Sequence, residues 1–142
     1  MTAEQVFSIA NTTALLGWIV LAIFGPKRWA APLITGAILP LLFAVLYGAL
    51  IAANFGKSQG GFGSLAGVAQ LFSNPWLLLA GWVHYLAFDL FIGSWEVRDA
   101  RKRGIAHWMV IPCLALTFMF GPVGLLLYFL LRTGKTRSLI LE

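Results

Sequence analysis

The sequence predicts an all-α integral membrane protein, a four-helix bundle with a short amphipathic helix at the interface between helices 2 and 3. Three observations carry that expectation. Of 142 residues, 60% are hydrophobic and 11% charged, with a mean hydropathy of +0.87, too apolar for the surface of a small soluble domain. The apolar residues gather in four runs, 6–24, 32–55, 76–95 and 105–131, each close to or above the roughly 20 residues that cross hydrocarbon. The period-two alternation of a membrane β-barrel is absent. Four such helices leave room for nothing but one transmembrane domain over residues 1–142.

Helix 1 carries Asn11, Thr12 and Thr13 about two turns inside its start, then Trp18, and stops at Gly25-Pro26 because a proline ring cannot continue it. Trp29, after the basic pair Lys27-Arg28, is placed as an interfacial anchor. The first residues, Met1 to Phe7, hold Glu4 but no Lys or Arg. They therefore read as the start of a retained helix, not as a cleaved signal or an Arg-rich transit peptide, with prokaryotic targeting. Helix 2 contains Pro40, where a kink is expected, and Tyr47. GKSQGGFG, residues 56–63, is a glycine-rich loop that lacks the Lys-Ser/Thr pair a phosphate-binding loop needs. Leu65, Val68, Leu71 and Phe72 then recur at helical spacing and predict the interfacial helix. Asn74-Pro75 opens helix 3, with the proline in a favourable first-turn position. Helix 4 contains Pro112 and the run FGPVG at 120–124. That run predicts either a kinked packing surface or a discontinuous helix, with Gly121, Pro122 and Gly124 as structural residues beside Pro26.

Net charge is +5. With four crossings, Lys27, Arg28, Arg98, Arg101, Lys102 and Arg103 lie on one side and Lys57, Arg132, Lys135 and Arg137 on the other. The positive-inside rule then puts both termini outside the cytoplasm of a multi-pass inner-membrane protein; a chain that turns back at Gly121 would instead bring the C-terminal tail to the cytoplasmic side. The basic residues read as partners of anionic lipid headgroups, not of nucleic acid. The single cysteine, Cys113, excludes an intramolecular disulfide. Zinc needs three or four converging ligands, which this chain with two histidines does not assemble, so no metal is expected and no nucleotide or cofactor motif is present.

The chemistry concentrates in WVHYLAFDLFIGSWEVRDARKRG, residues 82–104. Asp89, Glu96 and Asp99 are three of the chain's five acidic residues. Only Asp89 is read as deep, and a central Asp costs about 2.5–3.5 kcal/mol on insertion scales, so it should face the bundle interior. At 100° per residue, Trp82, Tyr85, Leu86, Asp89, Gly93 and Glu96 share one stripe, while His84, Phe88, Phe91 and Trp95 share another. His84 and Asp89 are thus about 140° apart around the axis and cannot chelate one ion. No Lys or Arg lies inside the spans to pair with Asp89, and hydrocarbon favours the neutral acid. Asn11, Thr12, Tyr47 and Thr117 are available as hydrogen-bond partners. Two readings follow: a polar clasp between helices, or a proton donor held in an apolar cavity.

WVHYLAFDLFIGSW with the downstream Asp99, FGPVG at 120–124, and Asn11, Trp18, Pro26 and Trp29 at their spacing in NTTALLGWIVLAIFGPKRW resemble the abscisic-acid-deficient-four family. The likeness covers nearly the whole chain. It implies a bacterial member of a group of four-helix membrane proteins from plastids, cyanobacteria and proteobacteria, tied to carotenoid metabolism. In plants that metabolism opens an epoxide of violaxanthin to give an allene. His84, Asp89, Trp95, Asp99 and residues 120–124 fall on the family's signature positions, whereas the plastid-targeting extension is lacking. A carotenoid is about as long as a bilayer is thick, so its ring would rest near one interface.

The leading expectation is therefore a carotenoid- or isoprenoid-modifying isomerase. Its catalytic candidates are Asp89 as acid, His84 as second proton-transfer or orienting group, and Glu96. Asn11, Trp18, Tyr47, Trp82, Tyr85 and Trp95 are the candidate ligand-binding residues. The alternatives are a non-catalytic pigment- or lipid-binding subunit that supports a partner complex, and a proton or small-solute carrier. The partners expected are membrane lipid, an apolar isoprenoid, and either a second copy or a membrane partner protein.

Overall fold

A computed structural model describes residues 1–137, and among them every regular element is helical. Helix α1 spans Ala3–Phe24, and a π-helical segment, Ala30–Ile38, runs directly into α2, Leu39–Asn54. A 3₁₀ turn, Phe55–Lys57, and a short α3, Leu65–Leu71, precede the long α4, Pro75–Lys102. The chain ends in α5, His107–Phe120, and α6, Pro122–Thr136. Three stretches, Ala3–Phe24, Ala30–Lys57 and Pro75–Lys102, are long and apolar enough to cross a membrane.

Local sequence accounts for most boundaries. Thr2 and Gln5 close a reciprocal capping box at the start of α1, the Thr2 hydroxyl accepting from the Gln5 amide at 3.3 Å and Gln5 Oε1 accepting from the Thr2 amide at 2.9 Å. The turns just before Pro40, where a kink is expected, are π-helical. There the Leu39 amide reaches back to the Ile34 carbonyl, and buried Thr35 hydrogen-bonds Ser94 of α4 at 2.5 Å. Helix α3 forms where the apolar spacing predicts it. Ser64 caps it, Leu71 turns inward, and Phe62 and Leu65 stay exposed. Asn74 holds the entry to α4, its Oδ1 accepting from the Trp76 amide at 2.9 Å and its Nδ2 donating to Ser58 at 2.7 Å.

Helix α4 is the axis of the fold, packed by α1, by α2 with its π segment, and by α5 and α6. Its close approach to α1 depends on Gly93. A Cβ there would stand 2.7 Å from the Trp18 ring, which is itself buried. The helix runs seven residues past the predicted end at Trp95, to Lys102. Arg98 remains helical by donating to the Ser94 carbonyl at 3.3 Å and lying over the Phe91 ring at 5.9 Å.

The predicted fourth helix, 105–131, is corrected by the structure: it is two helices broken at Gly121, which has φ 44°. The break reverses the chain. His107 at the start of α5 meets the Ala22 carbonyl at the end of α1, at 2.8 Å. The far end of α5 reaches Tyr85 and Asp89 midway along α4, and α6 returns to Asp99 near the end of α4. The four-helix bundle thus becomes three long helices and a hairpin. Arg132, Lys135 and Arg137 come back to the end that already carries Lys27, Arg28 and residues 98–103.

Candidate active site

The stripe on α4 that begins at Trp82 is the surface on which α1 and the hairpin close. At its outer end Trp82 Nε1 donates to Asn11 Oδ1 at 2.7 Å, and its ring packs on Tyr85 with centroids 5.2 Å apart. One turn on, the Tyr85 hydroxyl donates to the Phe118 carbonyl at 2.9 Å. That carbonyl belongs to the last turn of α5, where no intrahelical donor follows. Tyr85 therefore satisfies a group that the break at Gly121 sets free.

Asp89 comes next, against the tip of the hairpin. A Cβ built on Gly121 would lie 3.0 and 3.1 Å from the two carboxyl oxygens of Asp89. Glycine is required there twice over, by the positive φ and by this approach. Asp89 Oδ2 is buried and makes no hydrogen bond among the described residues. The first turn of α6, opened by Pro122, places the positive end of that helix at the same carboxyl. Gly124 packs on Thr117 so closely that a Cβ would run into the Thr117 backbone, which holds the two arms of the hairpin together. The large side chains at the tip, Met119, Phe120 and Val123, are all exposed. Gly121→Ala is expected to destabilise the protein by about 1–3 kcal/mol, read as a lowered unfolding temperature in detergent; an unchanged temperature would contradict the close approach.

Two further acids lie on α4 beneath the hairpin, and both are buried more fully than the half-buried Asp89. Glu96 is 0% exposed, its two carboxyl oxygens sharing the Thr117 hydroxyl at 3.0 and 3.3 Å. Asp99 is 5% exposed. It accepts from Arg103 Nε at 2.9 and 3.1 Å, from the Tyr128 hydroxyl at 2.7 Å and from Arg132 Nε at 3.0 Å. The nearby Arg103, just past the end of α4, is thus half of the arrangement. The other half, Tyr128 and the fully buried Arg132, was not singled out in the sequence. Its signal was there: Tyr128 and Arg132 stand four apart on one face of α6, as Asp99 and Arg103 do at the end of α4.

None of Asn11, Thr12, Tyr47 and Thr117, the expected partners, hydrogen-bonds Asp89 among the described residues, and Thr12 is exposed. Asn11 binds Trp82, Thr117 binds Glu96, and Tyr47 lies against His84 with ring centroids 5.6 Å apart. His84 faces α2, also touching Phe88 at 4.6 Å, and does not converge with Asp89. Trp18 packs on Phe118 and Trp95 packs edge-on against Tyr128, at 5.6 and 5.3 Å, each bracing the hairpin. Pro26 follows the buried Gly25 in the turn after α1.

A family model described as ABA DEFICIENT 4-like matches residues 5–128, from α1 through Tyr128 of the hairpin. No curated protein and no solved structure matches the chain.

Proposed function

This chain belongs to the ABA DEFICIENT 4-like family, and from that premise we propose that it is a membrane-embedded isomerase of carotenoids or related isoprenoids. Family membership suggests a carotenoid-related membrane protein, and the three long apolar helices are compatible with one. The observation that carries the chemical step is the Asp89 carboxyl, midway along α4, with one oxygen buried and unpartnered beneath the hairpin tip.

An isomerisation adds and removes no atoms, so its catalyst must lend a proton and take one back. With its proton on, Asp89 donates to the ring oxygen of an epoxide. The C–O bond breaks, leaving a hydroxyl and a carbocation stabilised by the adjoining chain. The Asp89 carboxylate then removes a proton from the neighbouring carbon, and the electron pair of that C–H bond forms the new double bond. Product and substrate have the same mass, and Asp89 ends as it began. Tyr85 positions the tip through the Phe118 carbonyl. Glu96, two turns along the same face, holds α5 to α4 through the Thr117 hydroxyl. The exposed apolar tip offers a substrate dissolved in the bilayer a lateral approach.

In this reading the hairpin enters the membrane and leaves on the side it entered. Such a broken helix is tolerated at depth where its freed backbone groups are covered by protein. Nine of the ten Lys and Arg then gather at one end, with Lys57 alone at the other. The positive-inside rule places that end in the cytoplasm. The C-terminus is then cytoplasmic and the N-terminus outside, in place of both outside.

The test is conversion by the purified protein in liposomes loaded with an epoxy-carotenoid. Appearance of a product of unchanged mass and altered absorption is expected. Pigment that is bound but never converted would overturn the isomerase and leave a pigment-binding subunit.

A further inference from the structure

Lys57 stands at the opposite end of the molecule from the other nine Lys and Arg. It lines an open cleft of about 280 Å³ where the turn after α2 meets the end of α3 and the start of α4. Ser58, Gln59, Gln70, Ser73 and Asn74 form the rest of its wall, which is polar throughout and contains no carboxylate. Three hydrogen bonds fix the shape of this segment. Asn74 Nδ2 donates to Ser58 Oγ at 2.7 Å, Gln70 Nε2 to Gln59 Oε1 at 3.1 Å, and the Gly61 amide to the Gly67 carbonyl at 3.1 Å. Gly60, at φ 94°, folds the loop onto α3 so closely that a Cβ would collide with the Gly67 carbonyl.

The bond between Gln59 and Gln70 uses half of each amide. It leaves the Gln59 nitrogen as a donor and the Gln70 carbonyl oxygen as an acceptor, neither with a partner among the described residues. Lys57 is exposed and pairs with no carboxylate among the described residues. The cleft thus holds a cation, an amide donor and an amide acceptor on a braced frame. A phosphodiester takes the cation and the donor, and the acceptor remains for a hydroxyl. The same segment exposes Phe62 and Leu65, at 70% and 86%. Beside a bilayer such side chains enter the hydrocarbon boundary while lysine and amide groups stay at the level of the headgroups.

We propose that this cleft binds the headgroup of an anionic phospholipid that carries hydroxyls, phosphatidylglycerol being the simplest, with the phosphate on Lys57 and Gln59 and a glycerol hydroxyl donating to the Gln70 carbonyl. A soluble phosphate ester has the same polar chemistry but makes no use of Phe62 and Leu65, which set the cleft against lipid. A serine headgroup has the same net charge, but its own ammonium competes with Lys57 for the phosphate. The bound lipid pins the loop between α2 and α4 to the membrane surface. The proposal rests on the membrane setting of the proposed function and not on its chemistry at Asp89.

The experiment follows an environment-sensitive fluorophore on Ala66→Cys, in a Cys113→Ala background. Position 66 is exposed on α3 one turn from Gln70 and far from the nine clustered basic residues, which attract anionic lipid of their own. The full-length protein is placed in phosphatidylcholine nanodiscs containing increasing fractions of phosphatidylglycerol or of phosphatidylserine. Half-saturation is expected at an about ten-fold lower fraction of phosphatidylglycerol. Lys57→Gln, at an exposed position, should raise that fraction about ten-fold with no change in unfolding temperature. Gln70→Met should abolish the preference between the two lipids while a response to both remains. Equal responses of the wild type to both lipids, or a Lys57→Gln curve that superimposes on it, would overturn the proposal. So would the full response to glycerol 3-phosphate in pure phosphatidylcholine discs, which would make a soluble phosphate ester the ligand. None of these readings measures turnover, so failure here leaves the isomerase standing, and the reverse.

Discussion

Asp89→Asn is expected to leave the protein folded and to slow conversion by about 10²–10⁴-fold, the usual worth of a positioned acid–base group. The amide has nearly the shape of the carboxyl and fits the same space against Gly121, where 3.0 Å already separates a would-be Cβ from the acid. What it lacks is a proton to lend. Liposome turnover and unfolding temperature, measured on one preparation, separate the two effects. Turnover within two-fold of wild type would end Asp89's role as donor. Asp89→Glu is not a conservative rescue, because one added methylene drives the carboxyl into the hairpin tip.

Asp99→Ala should have the largest effect on stability. It leaves the guanidinium of Arg132, 0% exposed, and the Tyr128 hydroxyl facing a void where the carboxylate had joined them to α4. Breaking a buried charge pair from one side costs about 3–5 kcal/mol, and here the loss falls on the attachment of α6. Arg103→Ala, by contrast, removes a partner whose side chain is 16% exposed, and about 1 kcal/mol or less is expected. Denaturant unfolding in detergent, together with proteolysis of the C-terminal segment, checks both. A small effect for Asp99→Ala would mean that packing of Trp95 on Tyr128 and Phe129 holds the hairpin without the ion pair.

The three long helices were legible because hydrocarbon imposes length and apolarity on any crossing segment. The hairpin was not, because residues 105–131 are uniformly apolar and hydropathy carries no record of direction. Gly121-Pro122 announced a break and left open whether the chain turns back there; the reversal itself depends on the 44° φ of Gly121 and on Gly124 nesting against Thr117. Asp89 was found because a carboxyl in an apolar run stands out from its neighbours alone. Its surroundings were misread because they depend on which helix lies opposite: Asn11 and Thr117, two of the partners proposed for it, bind Trp82 and Glu96. Glu96 and Asp99 looked interfacial by sequence distance from Trp95. They are buried because the chain turns back at Gly121 and α5 and α6 fold over them.

The measurement closest to the root of this account is the sidedness of the C-terminus relative to the loop after α4. Single cysteines at Gly104 and Lys135, in a Cys113→Ala background, would be labelled in intact cells and in opened vesicles with a membrane-impermeant maleimide. Protection of both in cells and labelling of both in opened vesicles is the expected result, with a cysteine at Glu4 showing the opposite pattern. If positions 104 and 135 report opposite sides, residues 105–131 cross the membrane unbroken. Gly121 is then nowhere near Asp89, and the site described here does not exist.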